Sequence, residues 1–290
     1  MDMKHSVKEW QAIVREAAAR AVGEDVGPDD VTSRAFIGEE ALATGVLVTR
    51  EDCVLAGMDV AEAVFREVDG RLVWETLIQD GQKVGTNQSV AKVRGSARSI
   101  LTGERCALNF LQRLSGVATL TAEYVRATAG TRTKILDTRK TTPGLRALER
   151  QAVRLGGGVN HRAGLYDGYL VKENHLSLVD PERLPELIQQ ARVSHPDLAL
   201  VVEADSVELA MRLLLLPVDR ILVDNLTADQ VREIVNVKRS RSLGIEIEAS
   251  GGVTLERAKA LSQAGVDFIS VGKLTHSARS IDFSLDLIPG

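Results

Sequence analysis

The sequence predicts an α/β protein in two parts, a mixed α+β block followed by a parallel α/β barrel. In the second part, short β-rich runs alternate with helical stretches: "TKILD", "GYLVK", "LALVVEA", "RILVD", "IEIEAS" and "FISVG" are separated by "PGLRALERQAVRLGG", "PERLPELIQQARV", "SVELAMRLLLL", "TADQVREIVNV" and "TLERAKALSQAG". Regular strand–helix–strand alternation implies parallel strands joined by right-handed crossovers. The preceding segment has a different texture, with strands that close on glycine turns. Each of the later strands also ends in a conspicuous polar group, as expected where strand ends gather at the mouth of a barrel. An open doubly wound sheet would collect such groups at its switch point instead. Six contributing strands favour the barrel.

With 290 residues the chain is long enough for two domains of ordinary size. A composition of 44% hydrophobic and 26% charged residues is that of a globular protein, and the net charge of −4 argues against a general nucleic-acid or membrane-surface binder. Only Cys53 and Cys106 occur, without a CxxC pair, so reduced thiols and a cytoplasmic setting are expected. Cys106 reads as a packing residue, since no base is adjacent to it. The run "LLLLPV" is too short to span a bilayer.

Val7, Trp10, Ile13, Val14 and Ala17, behind Ser6 as a cap, predict an amphipathic first helix rather than a signal peptide. "ALATGVLVTR" and "RLVWETLI" follow as strands, "MDVAEAVFREV" as a helix, and "DGQKVGTNQSVAKVRG" as short strands closed by turns. "TGERCALNFLQRLSGVATLTAEYVRAT" carries Ala107, Phe110, Leu111, Leu114, Val117 and Ala118 at helical spacing, although Gly116 argues against an unbroken helix.

From Arg94 to Lys172 there are 14 Lys or Arg against 5 Asp or Glu, in a chain that is acidic as a whole. Arg146, Arg150 and Arg154 recur every four residues and read as a solvated helix face. Arg139, Lys140, Arg162 and Lys172 instead lie at strand ends or in the loop "LGGGVNHRAGLYDG". Arginine forks onto carboxylates or phosphates, and lysine acts as a movable point charge, so this cluster suits a small polyanion. Glu203 and Asp224, at two later strand ends, offer the opposite sign. They suit a hydrated magnesium ion, sugar hydroxyls, or positive charge developing on a sugar ring. "ASGGVT" places Ser250, Gly251 and Gly252 before a helix starting near Thr254, and "SVGKLTH" adds Gly272, so backbone amides there can approach a phosphate. Together these parts describe a phosphorylated sugar lying across the mouth, beside a polyanionic partner.

The residues alone are also compatible with plainer roles. An SGG run commonly just ends a strand, and His161 is equally well a hydrogen-bonded structural histidine. Lys172 reads also as a structural ion pair with Glu173 or Glu203, or as a Schiff-base lysine, although that chemistry needs no pair of arginines aimed at an anion.

"GERCALNFLQRLSGVAT", "LDTRKTTPGLRALERQAVRLGGGVNHRAGLYDGYLVKENH", "VEADS", "ILVDN", "EASGGV" and "DFISVGKLTHS" together resemble the quinolinate phosphoribosyltransferases, over about Asp25 to Leu287. The resemblance implies an N-terminal α/β sandwich domain, residues 1–113, to which residues 280–290 return. It implies an incomplete, six- to seven-stranded parallel α/β barrel over residues 114–279. The implied reaction joins quinolinate to phosphoribosyl pyrophosphate, with magnesium, giving nicotinate mononucleotide, pyrophosphate and carbon dioxide in NAD synthesis. The implied assembly is a homodimer, or an assembly of dimers, in which Arg105 reaches into the partner's site.

Carried over by position, Thr138, Arg139, Lys140, His161, Arg162 and Lys172, with Arg105 from the neighbour, surround quinolinate and the pyrophosphate. Glu203 and Asp224 serve the ribose and the metal, the latter partly through water, and with Lys172 form the expected catalytic set. Ser250, Gly251, Gly252 and Gly272 match the 5′-phosphate loops. Cys106 stands where the family commonly has threonine, and "VKEN" where it has "IKDN"; neither departure removes a charge that the reaction needs. A related pyrophosphorylase with another acceptor, and a non-catalytic ligand-sensing paralogue, are the competing readings. The retained cations argue against the first, and the retained Lys172, Glu203 and Asp224 against the second.

Overall fold

The structure is a computed structural model that describes residues 6–290; residues 1–5 of the expected N-terminal block lie outside it. In chain order the elements begin with α1 (Val7–Val26), α2 (Val31–Phe36), β1 (Leu42–Thr49), β2 (Cys53–Val54), α3 (Met58–Val68), β3 (Val73–Thr76), β4 (Lys83–Val84), β5 (Ser89–Ser96) and α4 (Ala97–Ala127). They continue with β6 (Lys134–Leu136), α5 (Arg146–Leu155), β7 (Tyr169–Val171), α6 (Glu173–Leu176), α7 (Leu184–Ser194), β8 (Leu200–Ala204), α8 (Val207–Leu213) and β9 (Arg220–Asp224). Last come α9 (Ala228–Ser240), β10 (Glu246–Ser250), α10 (Leu255–Ala264), β11 (Phe268–Ser270), α11 (Lys273–His276) and β12 (Phe283–Pro289).

These elements form two compact units. The first holds residues 6–122 together with Thr141–Gly157 and Leu274–Gly290; the second holds Glu123–Lys140 and Gly158–Lys273. The boundary expected after residue 113 falls inside α4, and α5 groups with the first unit.

In the first unit, an antiparallel sheet is ordered β12-β1-β5-β3. The closing strand β12 pairs with β1 from Ala43↔Pro289 to Thr49↔Phe283. Helix α1 starts as its sequence requires: Ser6 Oγ accepts the Glu9 N–H at 3.3 Å and the Glu9 carboxylate accepts the Ser6 N–H at 2.8 Å. Helix α3 buries Val60, Ala61, Val64 and Phe65, each worth on the order of 1–3 kcal/mol according to its size. Its N-cap is Gly57, which has no side chain to cap with, and the half-buried Asp80 carboxylate accepts the Gly57 and Met58 N–H groups instead, at 3.1 and 3.3 Å.

Helix α4 runs unbroken through Gly116, contrary to the expectation raised by that glycine. A Cβ at Gly116 would fall onto the Arg279 carbonyl, so the residue admits a passing chain rather than breaking the helix. The solvated face expected of Arg146, Arg150 and Arg154 is also corrected. Arg150 is 7% exposed and the other two are half-buried, because that side of α5 is covered rather than open to water. The same helix contributes Glu149, fully buried, which accepts from Arg113 at 2.7 Å and from the Thr142 hydroxyl at 2.8 Å.

The second unit is built on a six-stranded parallel sheet ordered β6-β11-β10-β9-β8-β7. Strands β8 and β9 carry continuous apolar centres, with Val202, Ile221 and Val223 at most 1% exposed, as strands covered on both faces require, while β10 alternates, burying Ile247 between Glu246 and Glu248. Thr227 caps α9 and Thr254 caps α10, each accepting a backbone N–H from the first turn. The terminal strands β6 and β7 are not neighbours in the sheet; one isolated bridge, Leu136↔Val159, stands beside β6. The barrel is therefore incomplete, as expected. Alternate residues point inward, such as Arg220, Leu222 and Asp224 on β9 and Glu246, Glu248 and Ser250 on β10, so each strand lines the interior at two levels.

Candidate active site

At the carboxyl ends of the six strands lies a cavity of about 240 Å³. Its wall takes Thr138, Arg139 and Lys140 from the turn after β6, His161 and Arg162 from the loop before β7, Leu170 from β7 and Lys172 just after it, and Glu203 from β8. Leu222 and Asp224 from β9, Glu248 and Ser250 from β10, and Ser270 from β11 complete it. Nine of the expected site residues are thus brought together in one concave space.

The cationic side is held by local hydrogen bonds. The Thr138 hydroxyl accepts the Lys140 N–H at 3.1 Å, which tightens the turn that carries Arg139. Fully buried Asp137 accepts the Asn160 side-chain amide and the His161 N–H, both at 2.6 Å, and so ties that loop to the end of β6. Arg162 donates through one terminal nitrogen to the Gly168 carbonyl at 2.8 Å, while its buried Nε has no hydrogen-bond partner. Burial and then the neighbouring Arg139 charge lower the Arg162 pKa, against the pull of Asp167. An unpartnered guanidinium N–H beside a second cation is costly until an anion arrives.

Lys172 is exposed and makes no ion pair with Glu173 or Glu203 among the described residues, which removes the structural-pair reading of it. Glu203 accepts only a long contact from the Glu173 N–H, at 3.4 Å, and Asp224 accepts from Asn225 Nδ2 at 2.7 Å. After β10, Gly251 has φ +89°, and a Cβ there would press within 2.8 Å of the Asn225 backbone nitrogen. The turn therefore needs glycine, for its left-handed backbone and for the closeness of the neighbouring strand end.

Four expected residues do not line the cavity. Gly251 and Gly252 form the turn beyond Ser250, and Gly272 follows β11. Arg105 is exposed on α4, in the first unit. Four lining residues were not anticipated, Leu170, Leu222, Ser270 and Glu248; of these Glu248, whose side chain is fully buried, accepts from Arg220 at 3.0 Å and faces His161 Nε2 at 3.4 Å. Burial raises its pKa, but the His161 contact and the Arg220 charge outweigh that and hold it below the ordinary carboxylate value. The signal was available in "EIEAS", where period-2 spacing puts Glu248 on the same face as Ser250.

The family model described as "Quinolinate phosphoribosyl transferase, C-terminal domain" matches residues 117–286, and the one for the N-terminal domain matches residues 30–115. The chain belongs to the quinolinate phosphoribosyltransferase family. It is 41% identical, across 94% of its length and 96% of the relative's, to a nicotinate-nucleotide pyrophosphorylase (carboxylating) of Mycobacterium leprae. A probable enzyme of the same name from Bacillus subtilis is 38% identical over 91% of this chain and 90% of its own. The crystal structure of the nicotinate-nucleotide pyrophosphorylase from Francisella tularensis superposes with a TM-score of 0.90 at 34% identity, covering 96% of this chain and 97% of that one. This quinolinate phosphoribosyltransferase chain thus shares both domains and the whole fold with its relatives. No helix among its described residues is long and apolar enough to cross a membrane.

Proposed function

We propose that this protein transfers the phosphoribosyl group of phosphoribosyl pyrophosphate to quinolinate with decarboxylation, giving nicotinate mononucleotide, pyrophosphate and carbon dioxide, a step of NAD biosynthesis. The observation that carries this is the mouth itself, where Arg139, Lys140, Arg162 and Lys172 line the same cavity as Glu203 and Asp224. Two anionic substrates must lie side by side. A like-charge pair at about 4 Å costs on the order of 4 kcal/mol at an effective dielectric near ~20, so uncompensated binding fails. The four cations supply that compensation, and the open Nε of Arg162 is a donor in waiting.

In the bond changes, the pyridine nitrogen attacks the anomeric carbon while the carbon–oxygen bond to pyrophosphate breaks, its electron pair leaving with pyrophosphate. Glu203 and Asp224 face the ribose and stabilise the oxocarbenium character that develops. The bond from ring carbon 2 to its carboxylate then breaks. Its electron pair stays on the ring, stabilised by the cationic nitrogen, and a proton replaces carbon dioxide. Lys172 contributes by charge to both carboxylate binding and the departing pyrophosphate. In this reading the 5′-phosphate is received by backbone amides of Ser250, Gly251 and Gly252, which precede α10, and of Gly272, which precedes α11.

The donor set fits magnesium carried by the substrate rather than a protein-enclosed ion. Glu203 and Asp224 offer two hard carboxylates on adjacent strands, and no group of three metal-binding side chains occurs among the described residues. When bound, the ion shields the pyrophosphate. The protein works in this reading as a homodimer that brings the partner's copy of Arg105 to the mouth, which accounts for an exposed arginine on α4.

The test compares acceptors. Purified protein is expected to consume quinolinate only with phosphoribosyl pyrophosphate and magnesium, releasing carbon dioxide in equal amount; equal turnover of nicotinate would mean the acceptor is wrong. Arg105→Ala and Lys172→Ala, each inactive alone, should regain partial activity when mixed, and no recovery despite subunit exchange would remove the shared site.

A further inference from the structure

Beneath the mouth, the barrel interior holds a charge pair that no bond change of the reaction uses. Glu248 is 0% exposed, and its Oε2 sits between Arg220 NH1, 3.0 Å away towards the amino ends of the strands, and His161 Nε2, 3.4 Å away towards the mouth. Arg220 is itself fixed, through its Nε and other terminal nitrogen, to Glu246 at 3.0 and 2.8 Å, and its guanidinium lies 3.8 Å over the Phe268 ring. His161 is fixed on its other edge, where Nδ1 accepts the Arg162 N–H at 2.6 Å. An accepting Nδ1 leaves the ring proton on Nε2, which faces the Glu248 carboxylate. The imidazole is therefore spanned between a buried anion and the backbone of Arg162.

We propose that Glu248 is a positioning residue: held from below by Arg220, its carboxylate sets the orientation of the His161 ring, whose tautomer the Arg162 N–H fixes, and through it the aim of Arg162 at an anion in the barrel mouth. The inference rests on the reading of that mouth as the quinolinate site. The pair is more than core filling, because a core at this level needs no carboxylate, and burying one is costly unless its partners use it. The oxygen that accepts from Arg220 also lies 3.4 Å from His161 Nε2 on the opposite level of the barrel, so displacing Arg220 changes the charge that the ring faces.

The deciding variants are Glu248→Gln and the double variant Arg220→Met with Glu248→Gln, which removes both buried charges at nearly constant volume. A glutamine keeps an acceptor oxygen but loses the negative charge that faces both Arg220 and His161. Both variants are expected to raise the KM for quinolinate by roughly tenfold to a hundredfold. The KM for phosphoribosyl pyrophosphate should move by less than about threefold, since only one substrate meets the His161–Arg162 edge. Nitrogen NMR of the histidine rings should show the Nε2–H tautomer of His161 in the unaltered protein and a displaced Nε2 resonance in Glu248→Gln, where the ring no longer faces a carboxylate. A double variant that folds normally and keeps both the quinolinate KM and the His161 ring resonances overturns the proposal, as does an equal rise in both KM values with a lowered Tm. If the unaltered protein ignores quinolinate, the functional reading fails instead, and the ring-resonance comparison still judges Glu248.

Discussion

At the carboxyl ends of the six parallel strands, Lys172 stands without an ion pair to Glu173 or Glu203 and Arg162 keeps a buried Nε without a hydrogen bond. At the amino ends of the same strands, Arg220 is divided between Glu246 and Glu248, and Asp219 is tied to Arg192 at 2.7 Å. Both ends enclose space, about 390 Å³ at the amino ends against 240 Å³ at the mouth. In the larger hollow, Arg220 and Asp219 already have ionic partners, whereas Lys172, Glu203 and Asp224 at the mouth have none among the described residues. Volume alone does not reveal that difference.

The largest effect that tests this contrast is one of stability. Arg220→Ala leaves the Glu248 carboxylate buried without its cation and should destabilise the fold by about 3–5 kcal/mol, read from the denaturant midpoint. The same measurement on Lys172→Ala should show almost no change, because that side chain is exposed. Activity should invert the order: Lys172→Ala is expected to lower quinolinate-dependent product formation by about 10²–10³-fold, worth roughly 3–4 kcal/mol of transition-state stabilisation. A stable but fully active Lys172→Ala would erase the distinction between the two ends.

The pH dependence sharpens it further. Glu248 has a pKa below its ordinary 4.5 in the folded protein, so it binds protons less readily there than in the unfolded chain. Its contribution to stability is complete above that ordinary value and is lost as pH falls through the lowered folded one. Urea midpoints measured across the acid range should fall more steeply for the unaltered protein than for the Arg220→Met, Glu248→Gln double variant. The smallest expected effect is that of salt. Raising ionic strength from about 0.05 to 0.5 M should increase the quinolinate KM a few-fold by screening the open mouth. The denaturant midpoint should respond less, since the Arg220–Glu248 pair is withdrawn from solvent.

The barrel was legible in the sequence because its strands are short β-rich runs, most of them apolar and all ending near polar residues, and all six appear where such runs occur. In the first unit, β2 and β4 are two residues each, too short to show any periodicity. Spacing placed Arg146, Arg150 and Arg154 on one side of a helix correctly, but it cannot say what faces that side. Glu248 was missed for a related reason: a glutamate within a strand reads as a solvated edge until its neighbour is known to supply Arg220. Arg105 is assigned to the site only by the family resemblance, since nothing in its local sequence marks it as a ligand-binding residue.

The last strand has a consequence for how the chain is made. Strand β1, near the start, finds its outer partner only in Phe283–Pro289, so its backbone donors and acceptors on that side stay open until synthesis has passed the entire barrel. A ribosome-bound or truncated product ending before residue 283 therefore presents a bare sheet margin, ready to pair with the same margin of another copy. Clumping during expression should track the loss of these few residues more closely than damage to any catalytic side chain.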